Sequence, residues 1–366
     1  MGGPAENVPP KRISANEVAR RAGVSTAAVS YVMNNKPGVA AETRRRVLAV
    51  AAELGFKPNN ASMAYGLDRT GVIGLVLPNI SNPVFPRFAQ GVIAAAAEEG
   101  HDVFVATTQD DADTLSKIVS TLVARNVDGV ILAAALREDA TAMRTLRTAK
   151  IPYVYLSRKS PYIEGDFVGI DDFAAASELM EHVLSHGYAD IASVCGPRHS
   201  TSSLAREQGF VQTAAEHGVI IPSHHKISTQ LNNEGGRAAA ERIFAGTDPP
   251  RAIVCGSDAI AIGIMEYAVD HGIRVPDDVA VAGSDGLPLS ISRLIDLTTI
   301  VQPHVDMAQE SFAMLLKRMK ASSTQYQSLL LQHWIKIGRT CGCDPAAGLG
   351  RQPGAELEAT GSGHAG

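Results

Sequence analysis

From residue 71 onward, short apolar runs alternate with stretches of helical character, and this alternation limits the fold more than any other feature of the sequence. An uninterrupted apolar run between helices is typical of a parallel strand that is covered on both faces. The predicted strands are Val72–Leu77, Val103–Thr107, Val130–Ala134, Tyr153–Leu156, Phe167–Ile170, Ile191–Cys195, Ala252–Cys255 and Val279–Gly283. Their number indicates two doubly wound lobes rather than a single sheet.

The charge of the chain is divided unevenly between its two ends. Residues 1–70 hold 10 Lys and Arg against 5 Asp and Glu, a net charge of +5. The remaining residues hold 23 Lys and Arg against 33 Asp and Glu, a net charge of −10. A small basic module joined to a larger acidic body favours a nucleic-acid-facing N-terminal end.

Membrane insertion and secretion are not expected. The longest apolar runs, such as Val72–Leu77 and Gly129–Leu136, fall well short of the roughly 18 residues that span a bilayer. Met1–Lys11 lacks the apolar segment of a signal peptide. Four cysteines in 366 residues do not form a disulfide framework, so a cytoplasmic protein without membrane association is predicted.

The basic end is predicted to form three short helices. The first begins at Ser14, where the Ser14–Glu17 spacing fits a capping box, and it ends at Gly23. Ser25 is a suitable N-cap for the second helix, and the third runs over 41–54. A helix, a tight glycine turn and a second short helix indicate a helix-turn-helix, although an ordinary three-helix bundle with a solvated basic face would share this spacing.

The outer side of the second helix suits contact with DNA. Its residues Thr26, Ala27, Ser30 and Tyr31 are small or polar, with one aromatic ring. A major groove about 12 Å wide admits one helix, and small side chains let its backbone approach the base edges. Phosphate contacts would come from flanking basic groups and from helix N-termini.

The stretch Ile13–Asn34, ISANEVARRAGVSTAAVSYVMN, resembles the DNA-binding headpiece of the LacI/GalR family of bacterial transcription regulators. The downstream segments Glu42-Thr43-Arg44, Leu54-Gly55-Phe56 and Pro58-Asn59 match as well. The resemblance implies an α plus α/β protein. It would have an N-terminal three-helix helix-turn-helix headpiece with a hinge helix, followed by a two-lobed periplasmic-binding-protein-like α/β effector domain.

Family resemblance also assigns the DNA contacts. These fall on Ser14, Ser25, Thr26, Ala27, Ser30, Tyr31, Asn34, Asn59, Tyr65 and Leu67. In the family a hinge helix, here Asn59–Leu67, wedges a leucine into the minor groove. A gapless alignment places Tyr65 at the wedge, whereas a two-residue shift places Leu67 there. Tyr31 stands where many members carry arginine, and a tyrosine cannot make the bidentate contact to guanine that arginine makes.

The same resemblance sets the domain boundaries. Residues 1–12 are predicted to be disordered, 13–58 to form the headpiece, 59–70 the hinge and 71–341 the effector-binding and dimerisation domain. The N-lobe would hold residues 71–170 and 302–325, and the C-lobe residues 171–301 and 326–341. The tail 342–366 is rich in Gly, Ala and Pro and is predicted to be disordered.

Ligands of such folds bind in the cleft outside the carboxyl ends of the strands. By resemblance, the effector residues are Val84, Phe85, Ser157, Arg158, Asp171, Ser200, Ser202, Arg206, Leu231, Ser257 and Asp285. A guanidinium that faces carboxylates across a cleft suits a polyhydroxyl, sugar-like effector. The alternative is that Arg206 and Asp171 form a structural ion pair between the lobes.

Together these features predict a homodimeric repressor that binds near-palindromic double-stranded operator DNA under the control of a small effector. No cofactor or metal is expected. One alternative is an enzyme that uses Asp171 and Asp285 as acid and base, and another is a solute-binding receptor. Cys341-Gly342-Cys343 could bind a metal, but the lone pair is interpreted as two incidental thiols, and His224-His225 as solvated.

Overall fold

The computed structural model describes residues 15–33, 38–54, 56, 70–137, 140–320 and 325–343. The chain forms two compact units, Met1–Thr70 and Gly71–Gly366. Several predictions fall outside the described residues: the N-terminal segment 1–12, the hinge helix, the tail beyond residue 343, and the DNA-contact residues Ser14, Asn34, Asn59, Tyr65 and Leu67.

The described part of the first unit contains three helices, as predicted: α1 (Ala15–Ala22), α2 (Thr26–Met33) and α3 (Ala41–Glu53). Their inward faces share one small apolar core, formed by Val18, Ala19, Ala22, Val29, Val32, Val47 and Ala51. Gly23 turns the chain between α1 and α2 at a φ of 64°, a conformation that glycine adopts without a steric penalty. The tight turn brings α2 against α1 and leaves one face of α2 outside the core.

The first sheet of the second unit is wholly parallel, with strand order β11-β5-β4-β3-β1-β2. Its strands are β1 (Val72–Leu77), β2 (Asp102–Thr107), β3 (Gly129–Leu132), β4 (Tyr153–Leu156), β5 (Asp166–Gly169) and β11 (Ser328–Leu330). The helices of this lobe are α4 (Val84–Glu98), α5 (Ala112–Ala124), α6 (Thr141–Thr148) and α11 (His304–Lys320). This is the N-lobe.

The second sheet has the order β12-β10-β9-β8-β6-β7 and is parallel except for the edge strand β12. Its strands are β6 (Ile191–Cys195), β7 (Lys226–Ser228), β8 (Ala252–Cys255), β9 (Ala280–Asp285), β10 (Thr298–Val301) and β12 (Trp334–Lys336). Four helices accompany them: α7 (Asp172–Ser185), α8 (Thr201–Glu216), α9 (Asn233–Phe244) and α10 (Asp258–Asp270). This is the C-lobe.

The two-lobed α/β architecture is therefore confirmed, with one correction to the lobe boundaries. The sequence predicts that residues 326–341 lie entirely in the C-lobe, but β11 pairs with β5 of the N-lobe sheet before the chain crosses to β12. The error has a physical origin, since β11 is an edge strand in which Ser328 and Leu330 are exposed. Its sequence, Ser-Leu-Leu, is too short to show the extended apolar run of a strand that is covered on both faces.

A search of the helices among the described residues found none that is both long enough and apolar enough to cross a membrane.

Candidate nucleic-acid interface and ligand cleft

The predicted reading face of α2 lies on the surface of the first unit. Ser25 caps the helix as predicted, because its Oγ accepts a hydrogen bond from the backbone N–H of Ala28 at 3.2 Å. Val29 and Val32 turn into the core, whereas Thr26, Ala27 and Ser30 are exposed. Tyr31 is 46 % exposed. The face therefore consists of neutral side chains that are accessible to a groove.

Asn16 supports the start of this helix, although the sequence did not predict its role. The hydroxyl of Thr26 donates a hydrogen bond to Oδ1 of Asn16 at 3.0 Å. The contact joins the first residue of α2 to α1 and so orients the start of the reading helix. No sequence signal marked Asn16, because its role depends on the angle between two helices.

Basic side chains surround the neutral face, and several of them are paired within the unit. Arg21 forms an ion pair with Glu53 at 3.1 Å, and Arg45 forms one with Glu42 at 2.6 Å. The Arg46 side chain is exposed on α3. Exposed ion pairs of this kind contribute little to stability, so these arginines can exchange their acidic partners for phosphates.

In the second unit, the carboxyl ends of the two sheets carry the polar side chains. Backbone contacts join the lobes there, since Arg137 N–H donates to the His199 carbonyl at 2.8 Å. Lys159 N–H donates to the Thr201 hydroxyl at 3.3 Å. Parallel strands place their carboxyl ends at one edge, so both sheets present polar groups to one interlobe cleft.

Arg206 is the centre of the buried polar cluster in this cleft, with only 7 % of its surface exposed. Its Nε donates to Asp172 at 2.8 Å, and its Nη1 donates to the Gly256 carbonyl at 2.6 Å and to Asp285 at 3.3 Å. The guanidinium thus links α7, α8, and the ends of β8 and β9. Burial acts to lower the pKa of Arg206. The neighbouring carboxylates of Asp172 and Asp285 outweigh this effect and raise that pKa above its usual value.

The alternative of an ion pair between Arg206 and Asp171 is wrong. Asp171 is exposed and caps α7, where its Oδ1 accepts a hydrogen bond from the N–H of Ala174 at 3.0 Å. Asp172, one residue later, is the carboxylate that turns inward to the guanidinium. The proposed acid and base pair of Asp171 and Asp285 therefore has no hydrogen bond between its members, and Asp171 serves as a helix cap.

Asp285 lies at the end of β9, where it receives several hydrogen bonds. Besides Arg206, the side-chain amide of Gln302 donates to its Oδ1 at 2.8 Å, and the N–H of Asp258 donates to its Oδ2 at 3.3 Å. Gln302 stands where the chain crosses from β10 to α11, so Asp285 joins the C-lobe to the crossing segment. Burial raises the pKa of Asp285 to about 7, although Arg206 acts to lower it.

Arg158 is held within the N-lobe. Only 2 % of its surface is exposed, and its Nη1 forms an ion pair with Asp110 at 2.6 Å. Its guanidinium carbon lies 5.6 Å from the centre of the Phe85 ring. Asp110 was not among the predicted residues, and it carries no pattern that distinguishes it from other loop acids. Two predicted residues, Arg158 and Phe85, thus form one packed group at the end of the N-lobe sheet.

Two predicted serines act as helix caps. Ser200 accepts from the N–H of Ser203 at the start of α8, and its hydroxyl lies 3.1 Å from that of Ser202. Ser257 accepts from the N–H of Ile260 at the start of α10. Both capping serines are buried at the ends of strands, and they fix the helix N-termini that face the cleft.

The remaining predicted residues line the same edges. Val84 and Phe85 are almost fully buried at the start of α4, and Leu231 is half-buried before α9. Ser157 follows β4 at a φ of 66°. Their positions follow strand ends, as the resemblance implies.

A cavity of ≈ 600 Å³ opens between the lobes beside this cluster. The N-lobe contributes Ser81, Pro83 and Arg87 to its lining, and the C-lobe contributes polar residues that include Asn232 and Glu234. These residues are neighbours of the predicted ones rather than the predicted ones themselves. A volume of this size is typical of small-molecule sites.

Several buried nitrogen atoms near the N-lobe strand ends have no hydrogen-bond partner among the described residues. They are Arg87 Nε, Arg158 Nη2 and His304 Nε2. Burial, together with the charges of Arg87 and Arg206, lowers the pKa of His304 to about 3. His304 is therefore a neutral imidazole at neutral pH. A buried polar atom without a partner is costly, so a ligand that pairs with these atoms would gain free energy.

Comparison with known proteins gives two family matches. The description "Bacterial regulatory proteins, lacI family" matches residues 15–59, and "Periplasmic binding protein-like domain" matches residues 180–341. The regulator DegA of Bacillus subtilis is 33 % identical over 80 % of this chain and 88 % of its own.

Solved structures show the same fold. The complex of the transcriptional regulator CelR with cellobiose superposes with a TM-score of 0.69 at 25 % identity, and covers 90 % of this chain and 100 % of that one. The lac repressor dimer bound to its operator superposes with a TM-score of 0.73 at 23 % identity, over 90 % of this chain and 99 % of that one.

A helix-turn-helix unit joined to a two-lobed ligand-binding fold defines a DNA-binding transcriptional regulator with an effector domain. The chain belongs to the LacI family of bacterial regulatory proteins.

Proposed function

We propose that this regulator is a homodimeric repressor, which acts in the cytoplasm and loses or gains affinity for its operator when a sugar binds between the lobes. The observation that carries the proposal is the buried Arg206–Asp285 group beside a cavity of ≈ 600 Å³ at the carboxyl ends of both sheets. Residues of both lobes line this cavity, as closure of the lobes around a ligand requires.

The polar groups of the cleft suit a polyhydroxyl ligand. Arg87 and Arg158 carry donor atoms without partners, and Asp285 and Glu234 are acceptors at or beside the cavity. A sugar hydroxyl both donates and accepts, so one ring can pair with groups of either kind. Phe85 packs under the Arg158 guanidinium and supplies an apolar surface beside these groups. The DegA and CelR relatives are themselves named as regulators, and the CelR structure contains cellobiose.

Operator recognition would rest on the exposed face of α2. Thr26, Ala27, Ser30 and Tyr31 would read base edges, and the arginines around them would contact phosphates. Two headpieces of a dimer would occupy the two halves of a near-palindromic site.

Light scattering of the purified full-length chain at micromolar concentration tests whether the protein is a dimer. A monomer under conditions in which the protein binds its operator would contradict the proposal.

The effector site can be tested by calorimetry with a panel of mono- and disaccharides on the full-length chain. Arg87→Met keeps much of the side-chain volume and removes the unpartnered donor, so we expect it to weaken binding of the active sugar at least tenfold. Arg237→Met is the matched control, because Arg237 is an exposed arginine paired with Asp270 on the C-lobe surface. Equal sugar affinity in both variants would contradict the placement of the effector beside Arg87.

A further inference from the structure

Four side chains capable of binding a metal converge at one end of the C-lobe, away from the ligand cleft. They are His182 and His186 from the last turn of α7 and its following residue, and Cys341 and Cys343 from the end of the described chain. One ligand atom from each lies within 4.8 Å of the others. Among the described residues, this is the one group of three or more histidine, cysteine or acidic side chains whose ligand atoms lie close enough together to share a metal ion.

The local backbone structure brings the two histidines together and the two cysteines together. His182 and His186 are four residues apart, and at this spacing side chains lie on one face of a helix. Their rings meet nearly edge to face, with centroids 5.1 Å apart. The two cysteines flank Gly342, whose φ of 91° reverses the chain between them. A Cβ at Gly342 would lie 2.8 Å from the Tyr188 hydroxyl, so this turn requires glycine.

The distances between these atoms fit tetrahedral coordination. Nε2 of His182 lies 3.3 Å from Sγ of Cys341 and 3.6 Å from Sγ of Cys343, and Nε2 of His186 lies 3.3 Å from Sγ of Cys343. A zinc ion bound at about 2.3 Å to sulfur and about 2.0–2.1 Å to nitrogen separates an N ligand from an S ligand by about 3.6 Å. The three N–S separations lie close to this value, and the four ligand atoms lie within 4.8 Å of one another, so small side-chain adjustments would place them around one ion.

We propose that His182, His186, Cys341 and Cys343 form a structural zinc site of the Cys₂His₂ type. Two thiolates and two imidazoles select zinc over magnesium and calcium, which prefer oxygen ligands. The four protein ligands fill a tetrahedral shell, so the site is closed and has no position for a substrate. The two thiols would lose their protons on binding.

The surroundings of Cys341 support this assignment. The residue is fully buried, and its sulfur accepts a hydrogen bond from the hydroxyl of Thr298 at 3.0 Å. A donor of this kind stabilises a thiolate and fixes its direction, as groups that contact metal ligands commonly do. The Tyr188 hydroxyl donates to the carbonyl of Cys341 at 3.3 Å and holds the same turn from the other side.

Bound zinc would fasten the segment 341–343 to α7, the first helix of the C-lobe. Residues 182 and 341 are 159 positions apart, so the site closes a long loop. At its other end α7 begins with Asp171 and carries Asp172, the partner of Arg206. The zinc would therefore stabilise a helix whose start belongs to the ligand cleft, and we expect it to raise the temperature at which the C-lobe unfolds.

The test uses the full-length chain, purified under reducing conditions without a histidine tag, and incubated with zinc or with cobalt alone. We expect one zinc per chain by elemental analysis after removal of free metal. Cobalt should give the intense ligand-field absorption of a tetrahedral site together with thiolate-to-metal charge transfer. The double variant His186→Ala and Cys343→Ser should lose both signals, whereas His224→Ala should keep them, because His224 is exposed and lies elsewhere in the lobe. Its neighbour His225 is buried, so the interpretation of both histidines as solvated holds for His224 alone.

Three results would overturn the proposal. The first is less than one tenth of an equivalent of zinc on folded wild-type protein. The second is metal binding that His224→Ala abolishes or that the double variant retains. The third is a disulfide between Cys341 and Cys343, found by mass spectrometry, that persists in the reducing buffer. Circular dichroism of the double variant separates loss of metal from loss of fold.

Discussion

Arg206 and Asp285 lie 79 residues apart in sequence, and the guanidinium Nη1 of one donates to the carboxylate Oδ1 of the other over 3.3 Å. Both side chains are buried, and Asp172 and Gln302 complete the group. The contact thus links two helices, the end of β9 and the crossing into α11. Replacing any member should change the stability of the C-lobe as well as the affinity of the cleft.

Arg206→Ala should destabilise the chain by about 3–5 kcal/mol, because it leaves buried carboxylates without their partner. The free energy of unfolding of the C-lobe, measured in urea, checks this value. Arg237→Ala removes an exposed ion pair and should leave that free energy unchanged within error. An equally small effect at Arg206 would show that its carboxylates find other partners.

The stability of the effector domain should fall as the pH rises from about 4 to about 7. Burial raises the folded-state pKa of Asp285 from 3.8 to about 7, so in this range the folded chain retains a proton that the unfolded chain has released. The stabilisation is complete below about pH 4 and is lost as the pH passes through the folded-state pKa.

Asp285→Asn supplies the comparison for this prediction, since an amide has the same shape and does not titrate. Urea unfolding of both proteins at several pH values should show wild type losing stability relative to the variant between about pH 4 and 7. A constant difference across that range would mean that Asp285 ionises alike in the folded and unfolded chains.

Replacement of Thr26 and Ala27 should change which operator is preferred rather than weaken binding to every sequence. Both residues are exposed on the neutral face of α2, where base contacts are expected. Selection from a random DNA library would reveal a new consensus. Arg46→Ala is the contrasting variant, and it should weaken all sequences alike and reduce the salt dependence by about one charge. Uniform weakening by the α2 variant would place base reading elsewhere.

The sequence predicted most of the fold because the inner strands are covered on both faces. Four strands have the predicted bounds, and each is a buried run made up mostly of apolar residues: Val72–Leu77, Tyr153–Leu156, Ile191–Cys195 and Ala252–Cys255. The three-residue edge strands β7, β11 and β12 were not predicted, because so short a strand contains no extended apolar run. The inner strand β10 is buried but was not predicted either, because two of its four residues are threonines. The same logic explains the wrong lobe assignment of β11.

The cleft was predicted less completely, because its contacts depend on side-chain direction. Asp171 and Asp172 are adjacent, and only the cap geometry of α7 determines that the second one faces Arg206. Asp110 and Gln302 approach their partners through loops whose course the sequence does not reveal. The convergence of Cys341 on His182 was likewise hidden by their separation along the chain, so the thiols were interpreted as incidental.

The proposed function requires coupling between the cleft and the headpiece, and one linked titration tests that coupling most directly. Fluorescence anisotropy gives the Kd of full-length wild-type protein for its operator with and without the sugar that binds the cleft, and calorimetry gives the Kd for that sugar with and without operator. We predict that both constants change by the same factor, about 5- to 150-fold. A sugar that binds the cleft tightly yet leaves the operator Kd unchanged would contradict the account.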